Sequence, residues 1–292
     1  MRNYLIPAFS LLVSILILGA CSKATLPSYP AKWVKAWPDD EKPAQFDSLS
    51  KVYYEASRDE TNLYLHISTQ DAASQMRIMR YGLSIWLDQS AKKKTQTGFS
   101  FPVAPPDSVA GQGMGFGGGR PGGEGGERPP RGEGGGGRGG DRGDRAGGPP
   151  SPEEMQKRML NRIYKHFNEK PKELVQFGYD GNRKKTYILG TDVSDIQVDL
   201  EIEDDNSLHY FAVIPLKKIF TDPKVKGDLL SIGIVSGYLE LDPDSPMGGG
   251  GGNPHGGGGG GGGPRAYFMQ MMQQMATPIE IWFLSDLKAN KK

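Results

Sequence analysis

The chain has 292 residues, with 35 Lys and Arg against 34 Asp and Glu, 42 glycines and a single cysteine. That balance counts against a dedicated nucleic-acid binder, which normally carries a basic excess that releases counterions from phosphates. One thiol also rules out a disulfide framework.

At the N-terminus, Arg2 is a short positive region, residues 5–18 are apolar, and Gly19 and Ala20 stand directly before Cys21. This is the layout of a secretory signal, too short and wrongly flanked for a settled membrane span. Leu18-Gly19-Ala20-Cys21 resembles the lipobox of bacterial lipoproteins. The resemblance implies cleavage of residues 1–20 and lipidation of Cys21. Because Ser22 rather than an aspartate follows, it also implies sorting to the outer membrane. An ordinary cleaved signal or an uncleaved anchor is the alternative. Several acyl chains on Cys21 would hold the protein on a membrane surface, with residues 21–30 as a tether. Loss of residues 1–20 removes Arg2 and no acid, leaving a formal charge of zero.

A domain over residues 31–290 follows. Its first half predicts strands at 51–57, 62–68, 82–88 and 97–103. Leu63, Leu65 and Ile67 alternate with Tyr64 and His66, and Leu83, Ile85 and Leu87 with Ser84, Trp86 and Asp88. Residues 107–149 then break the pattern. Between 113 and 148 six arginines oppose five acids, Phe116 is the one aromatic, and glycine dominates without a collagen period. Nothing there can be buried to offset the entropy of ordering glycine, and no platform exists for stacking bases, so the stretch reads as a disordered insertion. Ser151, Pro152 and Glu154 then form a capping box, and Met155, Met159, Ile163 and Phe167 repeat every four residues. These predict an amphipathic helix over 152–168 that ends before Pro171.

Further strands are predicted at 174–179, 185–189, 196–202, 208–214 and 229–239. A second disordered glycine-rich insertion covers 246–265, residues 267–275 form a short helix, and 279–284 the last strand. Neither glycine tract has the Gly-Lys-Ser/Thr ending of a phosphate loop. Loop closure cost grows slowly with length, so both insertions are tolerable in one domain. About ten strands with one or two helices make the expected fold mainly β, an antiparallel β-sandwich.

Val52-Tyr53-Tyr54, Asn62-Leu63-Tyr64-Leu65, Gly82 to Asp88, Lys92-Lys93-Lys94 and Gly98-Phe99-Ser100-Phe101-Pro102 together resemble the family 9 carbohydrate-binding-module-like group, related to DOMON-like domains. Such domains often begin with a tryptophan-containing segment, matched here by Trp33 and Trp37. The resemblance implies a β-sandwich; that fold hosts both sugar and haem binding. The two-tryptophan sugar clamp of the family has no residue-by-residue counterpart in this chain.

Sugar binding needs flat aromatic faces with carboxylates and amides for the hydroxyls. Trp86 and Trp282 fall opposite the aliphatic positions of their strands, so if aliphatics line the core both indoles face outward. With Trp37 they are the candidate ligand-binding residues, and cover by a helix is the competing account of Trp86. Asp204-Asp205-Asn206 and Asp242 with Asp244 are turn-like acidic clusters without EF-hand spacing. No Gly-x-Ser-x-Gly, no His-Glu-x-x-His and no Cys–His pair is present, so no catalytic residue, metal site or cofactor is expected. Eleven methionines beside strand histidines keep a DOMON-like haem site as a rival, although core filling explains the methionines better. The expected role is a lipid-anchored, non-catalytic binding domain for a glycan or a cell-envelope component, with no nucleic-acid partner. A structural envelope lipoprotein without a small ligand is the alternative.

Overall fold

The computed structural model describes residues 25–35, 42–104, 151–170, 172–179, 181, 183–220, 228–240 and 264–288. Residues 1–20, Cys21, Trp37, the insertion 107–149, Asp242, Asp244, His255 and residues 246–263 of the second insertion lie outside them.

Two sheets form the body. The larger, sheet A, contains β1 (Ser28–Pro30), β6 (Leu83–Asp88), β7 (Gly98–Ser100), β8 (Glu173–Phe177), β9 (Lys185–Ile188), β12 (Leu229–Ser236) and β13 (Glu280–Asp286). Its order is β1-β13-β12-β6-β7-β8-β9. Sheet B contains β2 (Lys32–Trp33), β3 (Gln45–Asp47), β4 (Val52–Arg58), β5 (Asn62–Thr69), β10 (Gln197–Ile202) and β11 (Leu208–Pro215). Its order is β10-β11-β5-β4-β2, with β3 also paired to β4. Neighbours run antiparallel except β1 on β13 and β2 on β4, which are parallel.

The period-two alternation explains this arrangement. Leu63, Leu65 and Ile67 of β5, and Leu208, Tyr210, Ala212 and Ile214 of β11, turn to the same side and are fully buried. From sheet A they meet Leu83, Ile85, Ile232, Ile234 and Phe283 in one apolar core. This is the mainly β sandwich that the strand pattern predicts. All ten predicted strands are present.

The differences lie in short elements and in one helix. β1 sits inside the stretch read as a tether, because Ser28–Pro30 adds an edge to sheet A against Leu284 to Asp286. β1, β2 and β3 have two or three residues each, too few to show an alternation. Helices among the described residues number four: α1 (Ala72–Tyr81), α2 (Pro152–Glu169), α3 (Leu216–Ile219) and α4 (Pro264–Met275). The last two residues of the 246–265 tract are therefore helical.

α1 carries the chain from β5 in sheet B to β6 in sheet A. Nine of its ten residues are buried, Ser74, Gln75 and Arg77 among them, so it is enclosed on its polar side as well as its apolar one. Asp71 caps it, accepting from the Ser74 amide at 3.1 Å. α2 and α4 pack on α1. Met76, Met159, Met271, Met272 and Met275 join Ala72 and Tyr81 in a second apolar cluster, where thioethers fill an irregular gap between helices. α2 has the predicted cap, with the Glu154 amide donating to Ser151 Oγ at 3.2 Å.

At the β4–β5 turn, the Asp59 carboxylate accepts from the amides of Thr61 and Asn62, each at 2.6 Å, and from the Tyr64 hydroxyl at 2.5 Å. Burial works to raise its pKa, but these donors hold it down to about 2.

Candidate functional site

Register across sheet A aligns five outward positions from five strands. Trp282 on β13 stands opposite Gly233 on β12, and Gly233 opposite Trp86 on β6. Trp86 in turn faces Gly98 on β7, and Gly98 faces Phe177 on β8. The row therefore alternates aromatic and glycine over four inter-strand spacings, about 19 Å.

Both glycines are there because the indoles lie over them. A methyl group at Gly233 would sit 2.6 Å from Cη2 of Trp282 and 2.7 Å from Cζ2 and Cζ3. At Gly98 a methyl group would meet Trp86 Cε3 at 2.9 Å and the Ile85 carbonyl oxygen at 2.2 Å. Trp86 reaches across Gly98 to Phe177, with ring centroids 5.5 Å apart and planes inclined by 32°. Laid over bare backbone, the rings give the sheet an apolar surface on its outer side. Trp86 and Phe177 are half-buried, whereas Trp282 is only 7% exposed. The two candidate tryptophans among the described residues are thus brought into one row, with Trp86 the more accessible. Phe177 and the two glycines had no signal in the sequence, since only strand register reveals them.

A cleft of about 270 Å³ adjoins the row at the β6–β7 loop, lined by Leu87, Asp88, Gln89, Ser90, Lys94, Gln96 and Thr97. Asp88 lies two residues beyond Trp86 on the same strand face. Its Oδ1 accepts from the Ser90 amide at 2.9 Å and the Ser90 hydroxyl at 2.7 Å, and its Oδ2 from the Lys92 amide at 3.0 Å. Burial pushes the Asp88 pKa up, but these donors and the Lys94 charge bring it below the ordinary value. The carboxylate is thereby committed to shaping the loop. Among the described residues, no hydrogen bond occupies the side-chain amides of Gln89 and Gln96. The arrangement offers stacking faces with polar groups at one end, which suits a polyhydroxylated ligand.

The outer face of sheet B carries a different constellation. Ser207 Oγ donates to Asp205 Oδ1 at 2.5 Å and lies 2.8 Å from His209 Nε2; His209 Nδ1 lies 3.0 Å from His66 Nε2. His66 stacks on Phe211 at 4.3 Å and is buried. Burial, then the neighbouring His209 charge, lowers the His66 pKa to about 4. Asp205, from the acidic turn cluster, spends Oδ1 on Ser207 and Oδ2 on Gln70. Haem ligation by one Met and one His would require these residue types together. His66 and His209 bond to each other on sheet B, while the methionines named above gather between helices, where exposed His166 lies on the same helix as Met159. Among the described residues no three His, Cys, Asp or Glu side chains are grouped to hold a metal ion.

No protein-family model matches the chain. No curated protein and no solved structure matches it either.

Proposed function

We propose that this protein is an exported lipoprotein, lipidated at Cys21 and held on the outer membrane, whose β-sandwich binds a glycan without catalysis. The observation that carries the binding reading is the alternating row Trp282, Gly233, Trp86, Gly98, Phe177 on the outer face of sheet A. A pyranose presents a flat C–H face and a rim of hydroxyls. Trp86 and Phe177 supply stacking surfaces, and Gln89 and Gln96 in the adjoining cleft supply donors and acceptors. Trp282 backs the row by filling the space over Gly233.

A structural envelope protein without a small ligand is the second reading. One observation favours it: the 7% exposure of Trp282 leaves that end of the row little free surface.

A thermal-shift panel separates the two. The full chain, held in neutral detergent, is melted against neutral and acidic polysaccharides. A ligand that binds only the native state raises Tm by mass action. The binding reading expects a rise with at least one glycan class, and loss of that rise in Trp86→Ala with an unchanged far-ultraviolet spectrum. A flat panel from a cooperatively melting protein supports the structural role instead.

A further inference from the structure

We infer that the glycan taken by this face is anionic, a polysaccharide carrying carboxylate or sulfate groups; the inference rests on the glycan reading above. Two loops at one end of sheet A converge beside the aromatic row. The β6–β7 loop contains Lys92, Lys93 and Lys94, and the β8–β9 turn leads through Arg183 and Lys184 into Lys185. All six are exposed. That the loops touch follows from Gly178, where a methyl group would sit 2.1 Å from the Gln96 carbonyl oxygen and 3.0 Å from Thr97 Oγ1.

Counter-charge is scarce among the described residues at this end, Asp180 of the β8–β9 turn lying outside them. Among the described residues of β6, β7 and the two loops the one carboxylate is Asp88, whose oxygens are taken by Ser90 and Lys92. Farther along the same end, at β12 and β13, Asp228 pairs with Lys288 at 3.4 Å and Asp286 accepts from the Lys288 amide at 2.9 Å. Lys185 lies over the Tyr187 ring at 4.7 Å. Lys92, Lys93, Lys94, Arg183 and Lys184 form no ion pair among the described residues. Lys94 also lines the cleft, together with Asp88 two residues beyond Trp86 and Thr97 next to Gly98, so one of these cations borders the end of the aromatic row. A chain neutral after loss of residues 1–20 that concentrates exposed cations beside an aromatic row, with one described carboxylate, Asp88, among them, has the local field to select an acidic polymer over a neutral one.

The test pairs two polymers that share a backbone and differ in charge, and adds two further acidic ones. The full chain in neutral detergent is run in affinity electrophoresis through polygalacturonate, its fully methyl-esterified form, hyaluronate and chondroitin sulfate. The expected result is retention by at least one acidic polymer, about tenfold stronger than by the neutral ester. Retention weakens as salt shortens the Debye length toward about 8 Å. Replacing Lys92, Lys93 and Lys94 together by Gln brings retention down to the level of the ester, and Trp86→Ala abolishes retention by acidic and neutral polymers alike. Equal, Trp86-dependent retention of the acidic and esterified polymers overturns the charge inference while leaving the glycan reading intact. No Trp86-dependent retention by any polymer removes both. Duplex DNA or anionic lipid vesicles bound as tightly as the best polysaccharide also overturn the inference, since the cations would then act as an unselective polyanion patch.

Discussion

Gly233 and Trp282 behave as one unit, because the indole occupies the place where any side chain at 233 would project. Gly233→Ala forces the ring off the sheet and is expected to destabilise by about 1–3 kcal/mol, as overpacking usually does. Adding Trp282→Ala removes the clash, so the double variant should cost less than the sum of the two singles in a chemical-denaturation cycle. His66 gives a pH dependence whose sign is fixed by burial. The unfolded imidazole titrates near 6.5, while the folded one stays neutral down to about 4. Between these values the unfolded chain binds the extra proton. Stability from this group is therefore complete above about pH 6.5 and declines as pH falls toward 4, by about 3 kcal/mol in all. His66→Gln should flatten the denaturation midpoint over that window; an unchanged slope would refute the assignment. Tyr210 lies in the core with its hydroxyl buried and, among the described residues, without a hydrogen-bond partner; burial drives its pKa upward. Tyr210→Phe removes an unsatisfied group while keeping the ring, and should leave Tm unchanged or raise it, by the equivalent of about 1 kcal/mol.

The two well-capped helices differ in how much depends on their caps. α1 is buried on nearly every side, and Asp71 both caps it and accepts from Lys51 Nζ at 2.7 Å. α2 presents mostly exposed positions around its Met159 stripe. Asp71→Ala is therefore expected to cost about 2 kcal/mol and Ser151→Ala about 1 kcal/mol or less, measured as thermal stability. The same contrast explains what could be read in advance. α2 was legible because one face is wet and the other dry, which writes a four-residue period into Met155, Met159, Ile163 and Phe167. α1 buries Ser74, Gln75 and Arg77 together with Ala72, Met76 and Met79, so its burial does not follow polarity; Asp71 at its head and Gly82 at its end are its signs in the sequence. Strands with one face on the core were legible for the same reason as α2. The candidate row was legible by halves: alternation places Trp86 and Trp282 on the outward side, but their alignment with Gly233, Gly98 and Phe177 is a matter of register. Register is set by long-range pairing and leaves no mark in any single segment.

In the whole molecule, the two sheets are joined by more than the core between them. Residues 28–34 pass from one sheet to the other: β1 lies along β13, the Ala31 amide donates to the Asp286 carbonyl at 2.8 Å, β2 lies along β4, and the Val34 amide donates to the Arg58 carbonyl at 2.9 Å. Arg58 adds a bond from Nη1 to the Leu287 carbonyl and places its guanidinium over Trp33, 5.2 Å from the ring. The segment has mechanical meaning. A load entering at the N-terminal end of the domain meets strands paired side by side along its own direction. It must slide several hydrogen bonds past their partners together instead of opening them one at a time. Because β1 runs parallel to β13, tension between the N-terminal end of β1 and the C-terminal end of β13 is met in shear, a clamp at the end of the described domain nearest Cys21.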